Sequence, residues 1–255
     1  MEIKAQQHKK VSKIEVTANP QWAQTFWDGL TPFKERVVKH PYFQQLEKGA
    51  LTIEQAVKGL IDFYPLVDNF PKYMALNLAK TAFGNTPGHQ EARFWLMQNM
   101  RVEQKHADWW VDWAESMRLT RDDLFASKPS PLMDAINHYL WNINTHGSLV
   151  EGVAATNLAI EWATGEWTIR ILPGVKSYAD RGLADMNPRT LSWLNAHATY
   201  DDKHPYEAME IIKLCATTPE EQEKAFIAAK RGLEYYELAL DDCYESYKSP
   251  SYKNS

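Results

Sequence analysis

Hydrophobic side chains recur every three to four positions along most of this chain. After Asn19-Pro20, for instance, Trp22, Phe26 and Leu30 follow at intervals of four residues. This spacing places apolar side chains on one face of an α-helix, and a polar cap residue followed by proline is typical of a helix start. The segment therefore predicts an amphipathic helix rather than a strand.

The same pattern predicts helices over nearly the whole chain. Capping-box spacings open three of them, at Thr52, Thr120 and Thr218. Proline-containing starts or breaks are predicted at 31–32, 85–88, 173–174 and 205. No segment alternates apolar and polar residues as a half-buried strand does. We therefore predict an all-α fold of about seven principal helices, packed as one antiparallel bundle.

The region with helical spacing of apolar residues separates a central domain from two terminal segments. Residues 1–18 are polar and are predicted to form a flexible N-terminal leader. Residues 19–248 carry the helical pattern and are predicted to form a single bundle domain. Residues 249–255 remain as a C-terminal tail.

Composition narrows the functional classes. The chain has 255 residues, of which 44% are hydrophobic and 24% charged, with a formal net charge of −5. Such mild acidity argues against nucleic-acid binding, which normally shows a basic stripe. No apolar run approaches the roughly 18 residues of a membrane span, and the two cysteines, Cys215 and Cys243, cannot build a disulfide framework. These features favour a cytoplasmic protein.

Two of the eight histidines follow an acidic residue by three positions. They form the pairs Glu103/His106 and Asp201/His204, and such spacing lets both side chains of a pair project from one helix face and bind one metal ion. His197 falls in phase with the second pair, within about 60° of Asp201 and His204 on a helical projection. A single helix would then carry His, Asp and His in one stripe.

A diiron bundle takes two acid-x-x-His pairs and one further carboxylate from each of two other helices. Glu161 is the stronger candidate for such a carboxylate, because it ends a largely apolar run in which a charge would be costly to bury alone. Asp68 is the other candidate. Oxygen and imidazole ligands without a nearby cysteine favour iron or manganese over structural zinc. As an alternative, each pair could make only local contacts on a helix surface.

Three segments carry a family resemblance. They are Arg101-Val-Glu-Gln-Lys-His-Ala-Asp-Trp-Trp110, Ala154-Ala-Thr-Asn-Leu-Ala-Ile-Glu-Trp-Ala-Thr-Gly-Glu-Trp167 and His197-Ala-Thr-Tyr-Asp-Asp-Lys-His-Pro-Tyr-Glu207. Together they resemble the haem-oxygenase-like diiron oxidases. Within that superfamily the chain is most similar to the UndA group of undecene-forming fatty-acid decarboxylases, and more distantly to TenA-like and PqqC-like proteins. The resemblance extends from about Pro20 to Tyr244.

The resemblance implies a single-domain, seven-helix haem-oxygenase-like bundle that binds Fe(II), two ions per chain, and uses O2 as co-substrate. It implies that the metal ligands are Glu103, His106, Glu161, His197, Asp201 and His204. Asp68 matches a position where the undecene-forming relatives are expected to carry glutamate, and aspartate is shorter by one methylene. The implied reaction is oxidative decarboxylation of a medium-chain fatty acid to a terminal alkene.

An aliphatic substrate would need an apolar slot, for which Phe63, Phe70, Met74 and Trp162 are candidate wall residues. A homodimer is compatible with the fold family, although no segment marks an interface. Two alternatives stay open. The same diiron chemistry could act on an amino acid or another small carboxylate, or the bundle could be a metal-free TenA- or PqqC-like enzyme or a helical binding protein.

Overall fold

Ten helices account for the regular structure of the described residues in this computed structural model, which covers residues 14–82, 84–126, 128–199 and 203–245. The first six are α1 (Gln21–Val38), α2 (Pro41–Glu47), α3 (Ile53–Ala79), α4 (His89–Ser116), α5 (Arg121–Phe125) and α6 (Pro131–His146). Helix α7 runs without interruption through Leu149–Val153, a π-helical segment Ala154–Ile160, and Glu161–Asp180. The last three are α8 (Ser192–Thr199), α9 (His204–Cys215) and α10 (Pro219–Glu245).

The all-α prediction is confirmed, but the expected number of seven helices is too low. The difference comes from the short α2 and α5 and from the separation of α8 and α9. Helix α2 begins like the others, since the His40 Nδ1 accepts the Tyr42 N–H and Pro41 occupies the first turn. The predicted capping boxes at Thr52 and Thr120 are present, and the Thr218 hydroxyl caps α10 in the same way.

Two prolines that were predicted to begin or end a helix lie inside helices instead. Pro32 sits within α1, and Pro173-Gly174 sits within the last part of α7, where a helix end was expected. Gly174 has a packing role instead. A Cβ atom at Gly174 would lie 2.0 Å from the Leu46 carbonyl oxygen, so the absent side chain lets the end of α2 pack directly on α7.

The packing brings α4, α7, α8 and α9 together in the interior of the bundle. Helix α3 packs along α4, and α10 packs on α6 and on the π-helical segment of α7. Helices α8 and α9 both contact α7 and α4. Their facing surfaces are rich in aromatic side chains, including Trp110, Trp167 and Trp193, which are at most 4% exposed. None of the described helices is long and apolar enough to cross a membrane.

Part of the predicted leader lies against the bundle. The Thr17 N–H donates to Glu210 Oε1 at 2.7 Å, and the Lys213 ammonium donates to the Thr17 carbonyl at 3.0 Å. Thr17 therefore contacts α9. Residues 1–13 and the predicted tail, 249–255, lie outside the described residues.

Candidate metal centre

The first acid–histidine pair lies on the buried face of α4. Glu103 is 5% exposed and His106 is 1% exposed. The His106 Nδ1 lies 3.1 Å from Glu103 Oε2. Among the described residues, no lysine or arginine lies within ion-pair distance of Glu103. A buried carboxylate is therefore placed beside an imidazole rather than beside a fixed positive charge.

A second pair joins two different helices. Glu161, at the end of the π-helical segment of α7, has its Oε2 3.1 Å from the Nδ1 of His204, the first residue of α9. Potential ligand atoms of Glu103, Glu161 and His204 all lie within 4.8 Å of one another. The two pairs thus meet in one cluster.

His197 approaches the cluster from α8. Its Nδ1 lies 2.8 Å from the Trp193 carbonyl oxygen. A carbonyl can only accept, so Nδ1 carries the hydrogen, and Nε2 is the nitrogen with a lone pair for a metal ion. The His197 and His106 rings are 4.5 Å apart. We refer to Glu103, His106, Glu161, His197 and His204 as the acid–histidine cluster.

Two of the seven predicted ligands are not part of this cluster as described. Asp201 lies outside the described residues, so its role stays a prediction. Asp68 lies elsewhere: its side chain is 41% exposed and accepts from Lys72, one helical turn later, at 2.6 Å. The turn of α3 that carries Asp68 directs Val67 and Phe70 inward, which leaves Asp68 on the outer face.

The expected single stripe of His197, Asp201 and His204 also needs correction. Helix α8 ends at Thr199, and α9 begins at His204 with Pro205 in its first turn. Proline lacks an N–H and suits the start of a helix rather than its interior. The two histidines therefore reach the cluster from separate helices.

Sequence reasoning missed Asn157, which lies within the π-helical segment and is fully buried. Its Nδ2 donates to Glu161 Oε1 at 2.8 Å. The residue stands four positions before Glu161 in a run without charges, and that spacing was the available signal. π-Helical turns are rare and occur frequently at functional sites.

The donor atoms fit a divalent metal ion. Neighbouring ligands bound at about 2.1 Å to one ion are separated by roughly 3.0–3.4 Å, and each acid–histidine pair has a 3.1 Å separation. The set combines hard carboxylate oxygens with imidazole nitrogens and contains no thiolate. Such a set suits iron or manganese.

The cluster forms part of the wall of a small cavity. We call it the site cavity. Its lining is mostly apolar and consists of Phe63, Leu66, Val67, Phe70, Glu103, Trp110, Ile160, Glu161, Thr164, Trp167, Trp193, His197 and Tyr236. Candidate ligands thus face an apolar enclosure, as in many small-molecule sites.

A second small cavity lies behind the first, and we call it the rear cavity. Phe63, Trp110 and Trp167 line both, so these three side chains form the partition between them. The far side of the rear cavity is formed by residues such as Tyr42, Ala56 and Tyr178. Its lining contains no charged residue.

Of the four predicted pocket residues, two line the site cavity and two do not. Phe63 and Phe70 line the site cavity. Met74 is fully buried but lines neither of the two cavities. Trp162 also lines neither, and its ring instead packs on Trp27 at 4.1 Å between centroids.

Tyr236 supplies a hydroxyl at the cavity wall. Burial raises the pKa of Tyr236 to about 12, although hydrogen bonds from Thr164 and Trp167 act in the opposite direction. The hydroxyl therefore stays protonated at neutral pH. It accepts from Trp167 Nε1 at 3.0 Å and can still donate its own hydrogen.

The fold and the site together define a helical, haem-oxygenase-like protein with a candidate metal centre. Residues 58–237 match the family described as iron-containing redox enzymes, and the chain belongs to this family. A solved TenA homolog from Pseudomonas syringae pv. tomato is 37% identical, covers 91% of this chain and 96% of its own, and has a TM-score of 0.81.

More distant relatives agree on the fold. A heme-oxygenase-like domain from Shewanella denitrificans covers 91% of this chain and 95% of its own, with 18% identity and a TM-score of 0.73.

Two relatives are similar in sequence. A protein of Chlamydia muridarum named 4-aminobenzoate synthase is 26% identical over 188 residues, 71% of this chain and 73% of the relative. A protein of the same name from Chlamydia trachomatis matches to the same extent, over 75% of its length.

Proposed function

We propose that this protein is a non-haem iron oxidase that uses O2 to decarboxylate a medium-chain fatty acid to a terminal alkene. The observation that carries the proposal is the meeting of two buried acid–histidine pairs at the wall of an apolar cavity. Membership in a family of iron-containing redox enzymes supports iron as the metal. The resemblance of its motifs to the UndA group supports the substrate.

The proposed ligands are Glu103, His106, Glu161, His197 and His204, with Asp201 as a further predicted ligand and two Fe(II) ions per chain. Bound iron would supply electron transfer to dioxygen and removal of hydrogen from an unactivated carbon, which amino-acid side chains cannot do. The protein's own contribution is to hold these donors at fixed positions. His197 is oriented by Trp193, and Glu161 by Asn157.

The apolar lining of the two cavities suits the alkyl chain of an amphipathic acid, and the side chains at their walls would move apart to admit it. Its carboxylate would lie beside the acid–histidine cluster, and its alkyl chain would contact Phe63, Leu66 and Phe70 in the site cavity. The chain end would pass the partition of Phe63, Trp110 and Trp167 into the rear cavity. Apolar walls exclude water, which strengthens electrostatic contacts at the reacting end and limits side reactions.

The overall reaction fixes what else is required. The substrate loses one hydrogen from its β-carbon, the bond to the carboxyl carbon breaks, and the products are carbon dioxide and a terminal alkene. Dioxygen becomes two water molecules. The balance needs two electrons and two protons besides those from the substrate, so an external reductant takes part.

The test uses iron-loaded protein with laurate, oxygen and ascorbate as the reductant. We expect undecene in the headspace, detected by gas chromatography and mass spectrometry, and none without oxygen. No alkene from any saturated acid of about ten to fourteen carbons would overturn the fatty-acid assignment. Less than about a tenth of an iron per chain after anaerobic loading would overturn the iron enzyme itself.

The rear cavity offers a sharper test of the substrate. Ala56 lines it and is 5% exposed, so the two added methyl groups of Ala56→Val should fill the space. We expect the preference between long and short acids to shift towards short ones by about tenfold or more, because single methylenes are discriminated to that extent in apolar pockets. An unchanged preference would place the alkyl chain elsewhere.

A second candidate keeps the iron chemistry but changes the substrate to another small carboxylate. It is favoured by the similarity to two proteins named 4-aminobenzoate synthase. Oxygen consumption by the iron-loaded protein without alkene formation would favour this candidate.

A further inference from the structure

Each oxygen of the Glu161 carboxylate has its own neighbour. Oε2 lies 3.1 Å from His204 Nδ1, and Oε1 accepts a hydrogen bond from Asn157 Nδ2 at 2.8 Å. Rotation of the carboxylate about its last bond would disturb both contacts. Asn157 is therefore placed to fix which way Glu161 faces.

Asn157 is a costly residue at this position. It is fully buried, and its other polar atom, Oδ1, has no hydrogen-bond partner among the described residues. An unsatisfied buried acceptor destabilises a fold, whereas an apolar side chain of similar volume would avoid that penalty. The amide is thus explained by what its Nδ2 does and not by packing.

The backbone around Asn157 is also specialised. The π-helical segment that carries it is covered by α10, where Gly232 lies opposite Ala155. A Cβ at Gly232 would lie 3.1 Å from the Ala155 carbonyl oxygen, a tight contact that the glycine avoids. The close approach of α10 supports the wide turn from which Asn157 reaches Glu161.

A second asparagine provides an internal comparison. Asn99 stands four residues before Glu103 on α4, as Asn157 stands four residues before Glu161, and it is 5% exposed. Its Nδ2 is buried without a hydrogen-bond partner among the described residues. The two asparagines match in spacing and burial but differ in the bond to a cluster carboxylate.

We propose that Asn157 is a positioning residue that orients Glu161 for binding a divalent cation through the Nδ2–Oε1 hydrogen bond. The inference rests on the metal centre of the proposed function. It concerns the protein's affinity for the metal and needs no particular substrate. Groups that orient metal ligands commonly change metal affinity 10–100-fold when they are removed.

The experiment measures anaerobic binding of Fe(II), and of Co(II) as a spectroscopic probe, by wild-type protein and by Asn157→Leu and Asn99→Leu. Urea unfolding of the metal-free proteins is measured in parallel. We expect Asn157→Leu to weaken binding roughly 10–100-fold and to alter the Co(II) absorption bands, while the metal-free protein stays folded. Asn99→Leu should change affinity by less than about threefold. If Asn157→Leu does not fold, Asn157→Ser, whose hydroxyl is too short to reach Glu161, should show the same loss.

Equal affinities of Asn157→Leu and wild type would overturn the inference while leaving the metal centre intact. Equal weakening by both leucine variants would also overturn it, because burial rather than the bond would then be responsible. Failure of the wild-type protein to bind either metal would overturn the proposed function as well.

Discussion

Two regions with buried carboxylates approach each other along α9, where Glu210 of the first follows His204 of the second by less than two turns. In the first, Glu210 is 5% exposed and accepts from the Thr17 N–H, the Thr17 hydroxyl and the Lys213 ammonium. The lysine is equally buried, with its side chain 8% exposed. We call this region the Glu210 ion pair. Its negative charge is balanced by the chain itself.

The acid–histidine cluster is built differently. Glu103 and Glu161 are as deeply buried as Glu210, but the neighbours described above are imidazoles and one amide. Buried charges are tolerated only when they are paired or bind a metal. The Glu210 ion pair thus contains its own cation, whereas the proposed metal centre would take its cation from solution.

Removing a cluster residue should abolish function without unfolding the protein. We expect His204→Ala and Glu103→Ala to retain less than about a tenth of an iron per chain and to lose activity, because each removes a proposed ligand. Iron is measured by elemental analysis and folding by circular dichroism.

Asp68→Asn is the matched control, since Asp68 faces solvent and pairs with Lys72. It should keep its iron. Loss of iron in Asp68→Asn, or activity in His204→Ala, would contradict the ligand assignment.

Removing the cation of the Glu210 ion pair should lower the stability of the fold and leave iron binding almost unchanged. Lys213→Met leaves Glu210 buried without its ammonium partner, and we expect the free energy of unfolding to fall by about 3–5 kcal/mol. Iron binding at 25 °C should change little. Urea unfolding and anaerobic titration measure the two quantities.

Lys224→Met provides the comparison for this effect, because Lys224 pairs with Glu220 on the surface, with both side chains more than half exposed. Its loss should change the free energy of unfolding far less than the loss of Lys213, because water and salt screen exposed ion pairs. Similar losses for Lys213→Met and Lys224→Met would show that burial of the Glu210 ion pair does not matter.

In metal-free protein, neutralising a cluster carboxylate should stabilise the fold. Glu103→Gln removes a buried charge close to Glu161, and we expect the free energy of unfolding at pH 7 to rise by about 1–2 kcal/mol. Glu210→Gln should lower it. The sign of the two differences is the result that matters, and a loss in both variants would remove the distinction between the regions.

The smallest effect concerns Glu35, a partly exposed acid near two lysines. Hydrogen bonds from Lys34 and then from Lys39 lower the pKa of Glu35 from 4.5 to about 2. Because the folded-state pKa lies below the unfolded value, the stabilisation is complete above about pH 4.5 and is lost as the pH falls towards 2. Glu35→Gln should therefore be less stable than wild type at pH 6, by about 0.5 kcal/mol, and equal to it near pH 2. A pH-independent difference would mean that the lysines are not the cause.

The helical architecture could be predicted because apolar spacing and capping residues are local properties of the sequence. The acid-x-x-His pattern led to Glu103 and His106 for the same reason. A helix end was wrongly predicted at Pro173, because tertiary contacts there outweigh the local preference of proline. Its neighbour Gly174 packs against the backbone at the end of α2. Proline and glycine therefore predict where helices end less well than apolar spacing predicts where helices lie.

The errors at the site have a common cause. Asp68 and Glu161 both occur among apolar residues, and spacing alone could not show that Asp68 turns outward to Lys72. The π-helical segment has no proline or glycine to mark it, so the orientation of Asn157 towards Glu161 was not foreseen. Which face of a helix is buried depends on the packing partners, and these are set by the whole fold.

The π-helical segment makes residue count as important as residue identity in α7. A π-helical turn is bonded from residue i to residue i+5 and so holds one residue more than an α-helical turn. Deleting one residue between Ala154 and Ile160 would let the segment rewind as an α-helix, which would remove the wide turn from which Asn157 reaches Glu161. Chimeras and insertion libraries built on this scaffold should keep the length of this segment fixed. Alignments of related chains should be checked there for single-residue gaps before ligands are assigned.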